Sequence, residues 1–141
     1  MEVELPISKS IANRWLMLQA IHGDGLMPVS AAMPDDVRLL HDALLALNGR
    51  KRGEVLTLNL QNCGTAMRFL TAYCAQLIDC EVILTGVERM RQRPIGQLVE
   101  ALRMLGAEME YIEKEGFPPL RIHGKALDVA GKAVEMWQPR I

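Results

Sequence analysis

The first residues suited to chemistry are a lysine, a serine and an arginine near the start of the chain. Ser10 is a residue type that begins helices, Lys9 precedes it, and Arg14 follows four positions later on the same helical face. The start of a helix presents free N–H groups and partial positive charge, and both suit phosphate. The three residues therefore predict an anion site. A plain helix cap beside two solvated cations also explains them without a ligand, and on this motif alone it is the favoured interpretation because capping serine is so common.

A second set of residues, Asn62, Cys63, Gly64 and Thr65, predicts another helix start. Gly64 lacks a side chain, so a ligand could approach the backbone closely there. Thr65 adds a hydroxyl group beside it. An ordinary capped helix is again the alternative that involves no ligand.

Three arginines alternate along the chain at positions 89, 91 and 93. Arg93 directly precedes Pro94, and proline suits the first turn of a helix. A guanidinium group binds carboxylate or phosphate through two parallel hydrogen bonds. Arg93 is therefore a candidate ligand for an anion, whereas a solvated basic loop is the alternative.

The other polar residues give weaker signals. Asp35 and Asp36 stand at a predicted helix start, where the helix dipole favours carboxylates, so capping is their simplest role. The three histidines lack metal-ligand spacing, and the three cysteines include no C-x-x-C pair. We therefore expect neither a metal site nor a disulfide framework, and a reducing compartment fits best.

The composition predicts one folded domain, because the 141 residues are 50% hydrophobic and 23% charged. There are 16 lysines and arginines against 17 acidic residues, so the net charge of -1 argues against a general nucleic-acid binder. The acidic N-terminus lacks the order of a signal peptide, and no apolar run has the length of a membrane span. We expect a cytoplasmic protein with no membrane and no nucleic acid as partner.

Hydrophobic periodicity and turn residues predict helices alternating with strands. Strands are expected at residues 3–6, 26–32, 55–60, 81–84, 108–113 and 120–123. Helices are expected at residues 11–21 and 36–47, from the 62–65 cap to about 77, and at 94–105. On the first helix, Ile11, Trp15, Leu18 and Leu16 are expected to form the apolar face.

The order of elements recurs, and so do residues within it. The sequence R-W-L at 14–16 matches R-F-L at 68–70, and residues 40–44 match residues 98–102, at offsets of 54 and 58 residues. Two independent pairs at similar offsets predict a duplicated β-α-β-α-β-β unit, whereas chance likeness of amphipathic helices is the alternative. We expect one repeat at about 1–60, a second at about 61–124, and the start of a third at 125–141.

Four ordered segments resemble the motifs of the 5-enolpyruvylshikimate-3-phosphate synthase family. Residues 5–14, L-P-I-S-K-S-I-A-N-R, resemble its L-P-G-S-K-S-x-S-N-R, and residues 35–38, D-D-V-R, its D-D-V/T-R. Residues 62–68, N-C-G-T-A-M-R, resemble its N-A-G-T-A-M-R. Residues 84–96 resemble its L-T-G-x-x-R-M-x-x-R-P-I-G. The related UDP-N-acetylglucosamine enolpyruvyl transferases have A-K-N in place of Ser8-Lys9-Ser10 and fit less well.

The resemblance implies an α+β fold of the inverted-barrel type. It also implies transfer of the enolpyruvyl group of phosphoenolpyruvate to the 5-hydroxyl of shikimate 3-phosphate, without a metal or organic cofactor. The implied catalytic residues are Lys9 and Asp36. The implied ligands of shikimate 3-phosphate are Lys9, Ser10, Arg14 and Thr65. The implied ligands of phosphoenolpyruvate are Lys9, Asn62, Gly64 and Arg93.

The chain departs from the family pattern at Ile7, Cys63 and Phe69, where glycine, alanine and proline are usual. It also lacks the S-S-Q substrate motif and the second domain of the family, so we expect an inactive fragment whose partner is the missing remainder. One alternative is a truncated domain that binds a phosphorylated ligand without catalysis. Another is a small RNA-binding module, against which the neutral charge argues.

Overall fold

The structure, a computed structural model, describes residues 8–23, 25–29 and 33–127. The chain divides into two compact units, Met1–Gly49 and Arg50–Ile141. The strand predicted at 3–6, residue Ile7 and most of the predicted tail at 125–141 lie outside the described residues. Of the strand predicted at 26–32, residues 26–29 are described and are not in a strand.

The described residues of the first unit form two helices of 14 residues each, α1 (Lys9–His22) and α2 (Asp35–Asn48), which pack against each other. Helix α1 ends at Gly23, whose φ of 76° places it in the left-handed region that glycine adopts readily. Helix α2 follows Pro34 and carries both aspartates in its first turn. Among the described residues of this unit, the buried hydrophobic side chains are Ala12, Leu16, Val37, Leu40, Ala43, Leu44 and Leu47, and Asn13 is buried as well.

The predicted apolar face of α1 is wrong. Ile11, Trp15 and Leu18 are 61%, 53% and 52% exposed, whereas Leu16 is fully buried together with Ala12. Both stripes have helical spacing, so periodicity alone could not choose between them. The small side chain of Ala12 lets a neighbouring element approach the helix closely. The buried face of α1 is therefore the one that carries Ala12 and Leu16.

The second unit is a four-stranded sheet covered by helices. Its strands are β1 (Val55–Asn59), β2 (Glu81–Thr85), β3 (Glu108–Tyr111) and β4 (Leu120–His123), in the spatial order β1-β2-β4-β3. Strands β1 and β2 are parallel, and the other two pairs are antiparallel. Helix α3 (Gly64–Ala75) connects β1 to β2, as a parallel pair requires.

The core of this unit lies between one face of the sheet and helices α3 and α5 (Gly96–Met104). The strands alternate, so that their inward side chains are buried: Val82, Leu84, Met109, Leu120 and Ile122. Helix α3 adds Met67 and Leu70 to this core. Burying each large aliphatic side chain contributes about 1.5–3 kcal/mol, which makes this layer the main source of stability.

The helix predicted from Pro94 begins instead at Gly96. Ile95 is the N-cap residue, since its φ of -132° lies outside the helical range. Its N–H donates to the carbonyl of Gly116, in a distant loop, at 2.8 Å. A short helix, α4 (Glu88–Arg91), occupies part of the segment expected to be a basic loop. The remaining predicted helices, and the strands at 55–60, 81–84, 108–113 and 120–123, are confirmed within a few residues; the duplication stays a prediction.

An ion pair on the outer face of the sheet makes the free energy of unfolding depend on pH. Arg121 Nη2 lies 2.9 Å from Glu81 Oε1, and this hydrogen bond lowers the pKa of Glu81 below its ordinary value. A lowered carboxyl pKa stabilises the fold above the unfolded-state pKa of about 4.3, and the contribution is lost as pH falls through the folded-state pKa.

We predict that Arg121→Met lowers the melting temperature slightly at pH 7, and that the difference from the parent protein disappears at strongly acidic pH. Thermal melts across a pH series would measure this. Arg52→Met is the control, because Arg52 is 88% exposed and lies 3.7 Å from its partner Asp79. An undiminished Arg121→Met difference in acid would contradict the prediction.

Candidate functional site

The start of α3 is built by a cysteine cap followed by a glycine. Cys63 is the N-cap residue, and its Sγ accepts a hydrogen bond from the Ala66 N–H at 3.4 Å. Gly64 is the first helical residue and is buried, and Thr65 is the second and is exposed. The replacement of alanine by Cys63 therefore gives this helix a side-chain cap.

Two guanidinium groups cover this helix start. A Cβ atom added to Gly64 would lie 2.5 Å from Arg93 Nη1 and 3.0 Å from Arg68 Nη1. Arg68 Nη1 also donates to the Gly64 carbonyl at 3.3 Å. In the described part of the chain, neither arginine forms an ion pair with a carboxylate. Two cations at the positive end of a helix repel one another and the helix dipole, and a bound anion would relieve both repulsions.

The topology of the sheet explains why these groups meet. Strands β1 and β2 are parallel neighbours, so their carboxyl ends lie at the same edge of the sheet. The loop after β1 leads to Gly64, and the loop after β2 leads through α4 to Arg93. The two loops are joined by a hydrogen bond from the Val87 N–H to the Gln61 carbonyl at 3.1 Å.

Gly86 is needed for that contact between the loops. A Cβ atom there would lie 2.4 Å from the Gln61 carbonyl oxygen and 2.7 Å from Met90 Cγ. No side chain fits this space, so the approach of the loops requires glycine at position 86. Asn62 is exposed on the first of these loops.

The first unit holds the other predicted site residues. Ser8, not Ser10, is the N-cap residue of α1, so Lys9 is the first helical residue and Ser10 the second. The Arg14 guanidinium folds back onto Ser10, donating to its hydroxyl and, at 3.1 Å, to its carbonyl. Lys9 Nζ lies 3.0 Å from Asp36 Oδ2, with 57% and 37% of these two side chains exposed.

The helix starts of the two units share a local design. Ser10 and Thr65 are both second residues of their helices. Arg14 and Arg68 both turn back and donate to a main-chain carbonyl four residues earlier. Arg68 was not among the predicted site residues, although its i+4 spacing from Gly64 repeats the spacing of Arg14 from Ser10.

The described residues contain no cluster of three or more histidine, cysteine, aspartate or glutamate side chains suited to a metal ion. Nor does any helix in these ranges have the length and apolarity needed to cross a membrane.

The architecture matches solved structures of one enzyme class. A structure named EPSP synthase from Acinetobacter baumannii superposes with a TM-score of 0.67 and 22% identity, over 86% of this chain and 32% of that one. A second structure of EPSP synthase from the same organism gives a TM-score of 0.65 and 21% identity. These likenesses define the chain as mixed α/β with the fold of that class.

Sequence comparison carries the assignment further. The family model EPSP synthase (3-phosphoshikimate 1-carboxyvinyltransferase) matches residues 47–136. A 3-phosphoshikimate 1-carboxyvinyltransferase from Bacteroides fragilis is 46% identical over 89% of this chain and 28% of its own length. One from Vibrio cholerae is 39% identical over 95% of this chain and 36% of its own length. The chain belongs to the EPSP synthase family and spans about a third of the length of these relatives.

Replacing Gly64 with alanine tests the anion site. The added methyl group would meet the tip of Arg93, which is flexible, so we expect the side chain to move and the fold to persist. Loss of one charge-assisted contact of about 1.5–3 kcal/mol predicts that inorganic phosphate, used as the anion probe, binds more weakly by about tenfold or more. Calorimetric titration of the full-length protein measures this.

Gly96→Ala is the matched control. Gly96 is also the first residue of a helix, but its nearest neighbours would be 3.7 Å and 3.8 Å from an added Cβ. We expect binding to be unchanged in this variant. Equal weakening by both replacements would show that the effect comes from the helices in general rather than from the guanidinium pair.

Proposed function

We propose that the full-length protein containing this chain transfers the enolpyruvyl group of phosphoenolpyruvate to the 5-hydroxyl of shikimate 3-phosphate and releases phosphate. The observation that carries the proposal is the pair of guanidinium groups over the start of α3 at Gly64, found in a chain of the EPSP synthase family. Both substrates are anions, and holding them together requires convergent cations and N–H groups.

The phosphoenolpyruvate ligands of this proposal are Gly64, Arg93, Asn62 and Lys9. The start of α3 supplies a free N–H group at Gly64, and Arg93 supplies a planar fork of donors that matches phosphate or carboxylate. Arg68 adds a second positive charge at this helix start. Asn62 precedes the cap and contributes an exposed amide.

The shikimate 3-phosphate ligands of this proposal are Ser10, Arg14, Thr65 and Lys9. In the first unit, the Ser10 hydroxyl and the Arg14 guanidinium are already in contact at the start of α1. A phosphate group can accept hydrogen bonds from both of them and from the free helix N–H groups. Thr65 offers a hydroxyl at the equivalent position of α3.

Lys9 and Asp36 are the proposed catalytic pair. Their ion pair holds the ammonium group at the start of α1, where an anionic substrate can compete for it. The ion pair is exposed and contributes only about 0–1 kcal/mol to stability. An anionic substrate can therefore readily replace Asp36 as the partner of the Lys9 ammonium group. Acid–base groups beyond these belong to the remainder of the enzyme, which we propose as the partner of this chain.

We propose the cytoplasm as the location, since an odd number of cysteines with no C-x-x-C pair fits a reducing compartment. The net charge of -1 supports small-molecule substrates and no nucleic acid.

The activity is tested by phosphate release from the two substrates. We expect the full-length protein to release phosphate only when both substrates are present, and residues 1–141 alone to release none above the blank. Full-length protein that binds shikimate 3-phosphate but never releases phosphate would favour the alternative of a binding domain without catalysis.

Lys9→Met in the full-length protein tests the catalytic pair. We expect the melting temperature to be nearly unchanged, because an exposed ion pair contributes little to stability. The value of kcat/KM should fall by about tenfold to a hundredfold, from loss of charge-assisted hydrogen bonds worth about 1.5–3 kcal/mol. Lys51→Met, the same exchange at an exposed position, is the control, and an equal fall in both variants would refute the assignment.

A further inference from the structure

Two buried cysteines lie together at the far end of α3 from the anion site. Cys74 is the penultimate residue of α3, and Cys80 directly precedes β2. They are 0% and 4% exposed. Five residues separate them, and this short connection turns the chain from the end of the helix into the sheet.

A single glycine shows how closely the two cysteines approach. The Gly124 N–H donates to the Cys80 carbonyl at 2.7 Å, and a Cβ atom added to Gly124 would lie 2.7 Å from the Cys74 carbonyl oxygen. Both cysteine backbones therefore meet at the same residue. A hydrogen bond between their side chains shifts the pKa values of both thiols.

The two thiols are not equivalent. The hydrogen bond from Cys74 lowers the pKa of the Cys80 thiol below its ordinary value, and the same bond and burial raise the pKa of Cys74. The positive charge of Arg50 also favours the Cys80 thiolate. Such asymmetry is typical of dithiols in which one sulfur attacks and the other resolves.

Arg50 is hydrogen-bonded to the connection between the two cysteines. Its guanidinium donates to the Ile78 carbonyl at 2.9 Å and the Asp79 carbonyl at 3.3 Å. Ile78 is 63% exposed and Asp79 is exposed, so the surface lies next to Cys80. A small oxidant needs only a local opening of this connection to reach the Cys80 sulfur.

We propose that Cys74 and Cys80 form a covalent modification site, a reversible intramolecular disulfide made by hydrogen peroxide. The Cys80 thiolate attacks one peroxide oxygen, the O–O bond breaks, and a sulfenic acid and one water form once the released hydroxide is protonated. The Cys74 sulfur then attacks the Cys80 sulfur, the S–O bond breaks, and a second water leaves. In total, two thiols and one peroxide give one disulfide and two waters, and a small thiol such as dithiothreitol reverses the reaction.

The positions of lysine and arginine allow the disulfide to be tested by tryptic digestion and mass spectrometry. No lysine or arginine lies between Phe69 and Glu88, so trypsin releases both cysteines in the single peptide 69–89. Cys63 falls in the separate peptide 53–68 and serves as the internal control. The native full-length protein is treated with hydrogen peroxide and its remaining thiols are alkylated. The protein is then digested with trypsin, and the peptide masses are measured by mass spectrometry.

We expect peptide 69–89 to lose the mass of two hydrogen atoms and to carry no alkyl group, while Cys63 is alkylated fully. Dithiothreitol before alkylation should restore two alkyl groups on that peptide. Peptide 69–89 that remains doubly alkylated, or that carries a sulfinic acid without a disulfide, would overturn the proposal. A disulfide to Cys63 would overturn it as well.

Single variants assign the attacking sulfur. In Cys74→Ser the resolving thiol is gone, so peroxide should leave a sulfenic acid on Cys80 that dimedone captures. In Cys80→Ser the attacking thiol is gone, so dimedone should not label Cys74. Labelling in the reverse order would refute the assigned roles, and the peptide mass of the parent protein decides the disulfide even if a variant does not fold.

Discussion

The parallel pairing of β1 with β2 determines where the candidate site lies. Because both strands run in the same direction, the loops at their carboxyl ends share one edge of the sheet. One loop begins α3 at Gly64, and the other carries Arg93. The crossover through α3 that this pairing requires also places the start of the helix at that edge and its end beside Cys80, at the opposite edge.

Much of the second unit could be predicted from its sequence, since alternating strands and amphipathic helices leave clear periodic patterns. The exceptions involve contacts between distant residues. Ile95, hydrogen-bonded to the distant Gly116, has a non-helical φ, so α5 begins only after it, and no local pattern contains that information. In the first unit, the face of α1 was misassigned because two stripes, one through Ile11 and one through Ala12, have the same helical period.

The site shows the same division between local and distant information. Motif order predicted Gly64 and Arg93 as ligands, which stays a prediction, whereas their closeness in space follows from a sheet topology that the motifs do not contain. The sequence pattern shows Arg68 only as part of the repeat, because its approach to Gly64 depends on a side chain folding back along the helix. The pairing of Cys74 with Cys80 could not be predicted from the sequence either, because their spacing matches no redox motif. Only the turn from α3 into β2 brings them together.

The space over Gly64 is bounded by the guanidinium ends of Arg68 and Arg93. Such ends move easily, so the space above the helix can expand or contract by small rotations of the guanidinium groups. A guanidinium fork accepts planar carboxylates and tetrahedral oxyanions alike. Selectivity among anions of similar charge must therefore come from other parts of the substrate. Sulfate in a crystallisation or assay buffer would compete at this position according to its concentration rather than its shape.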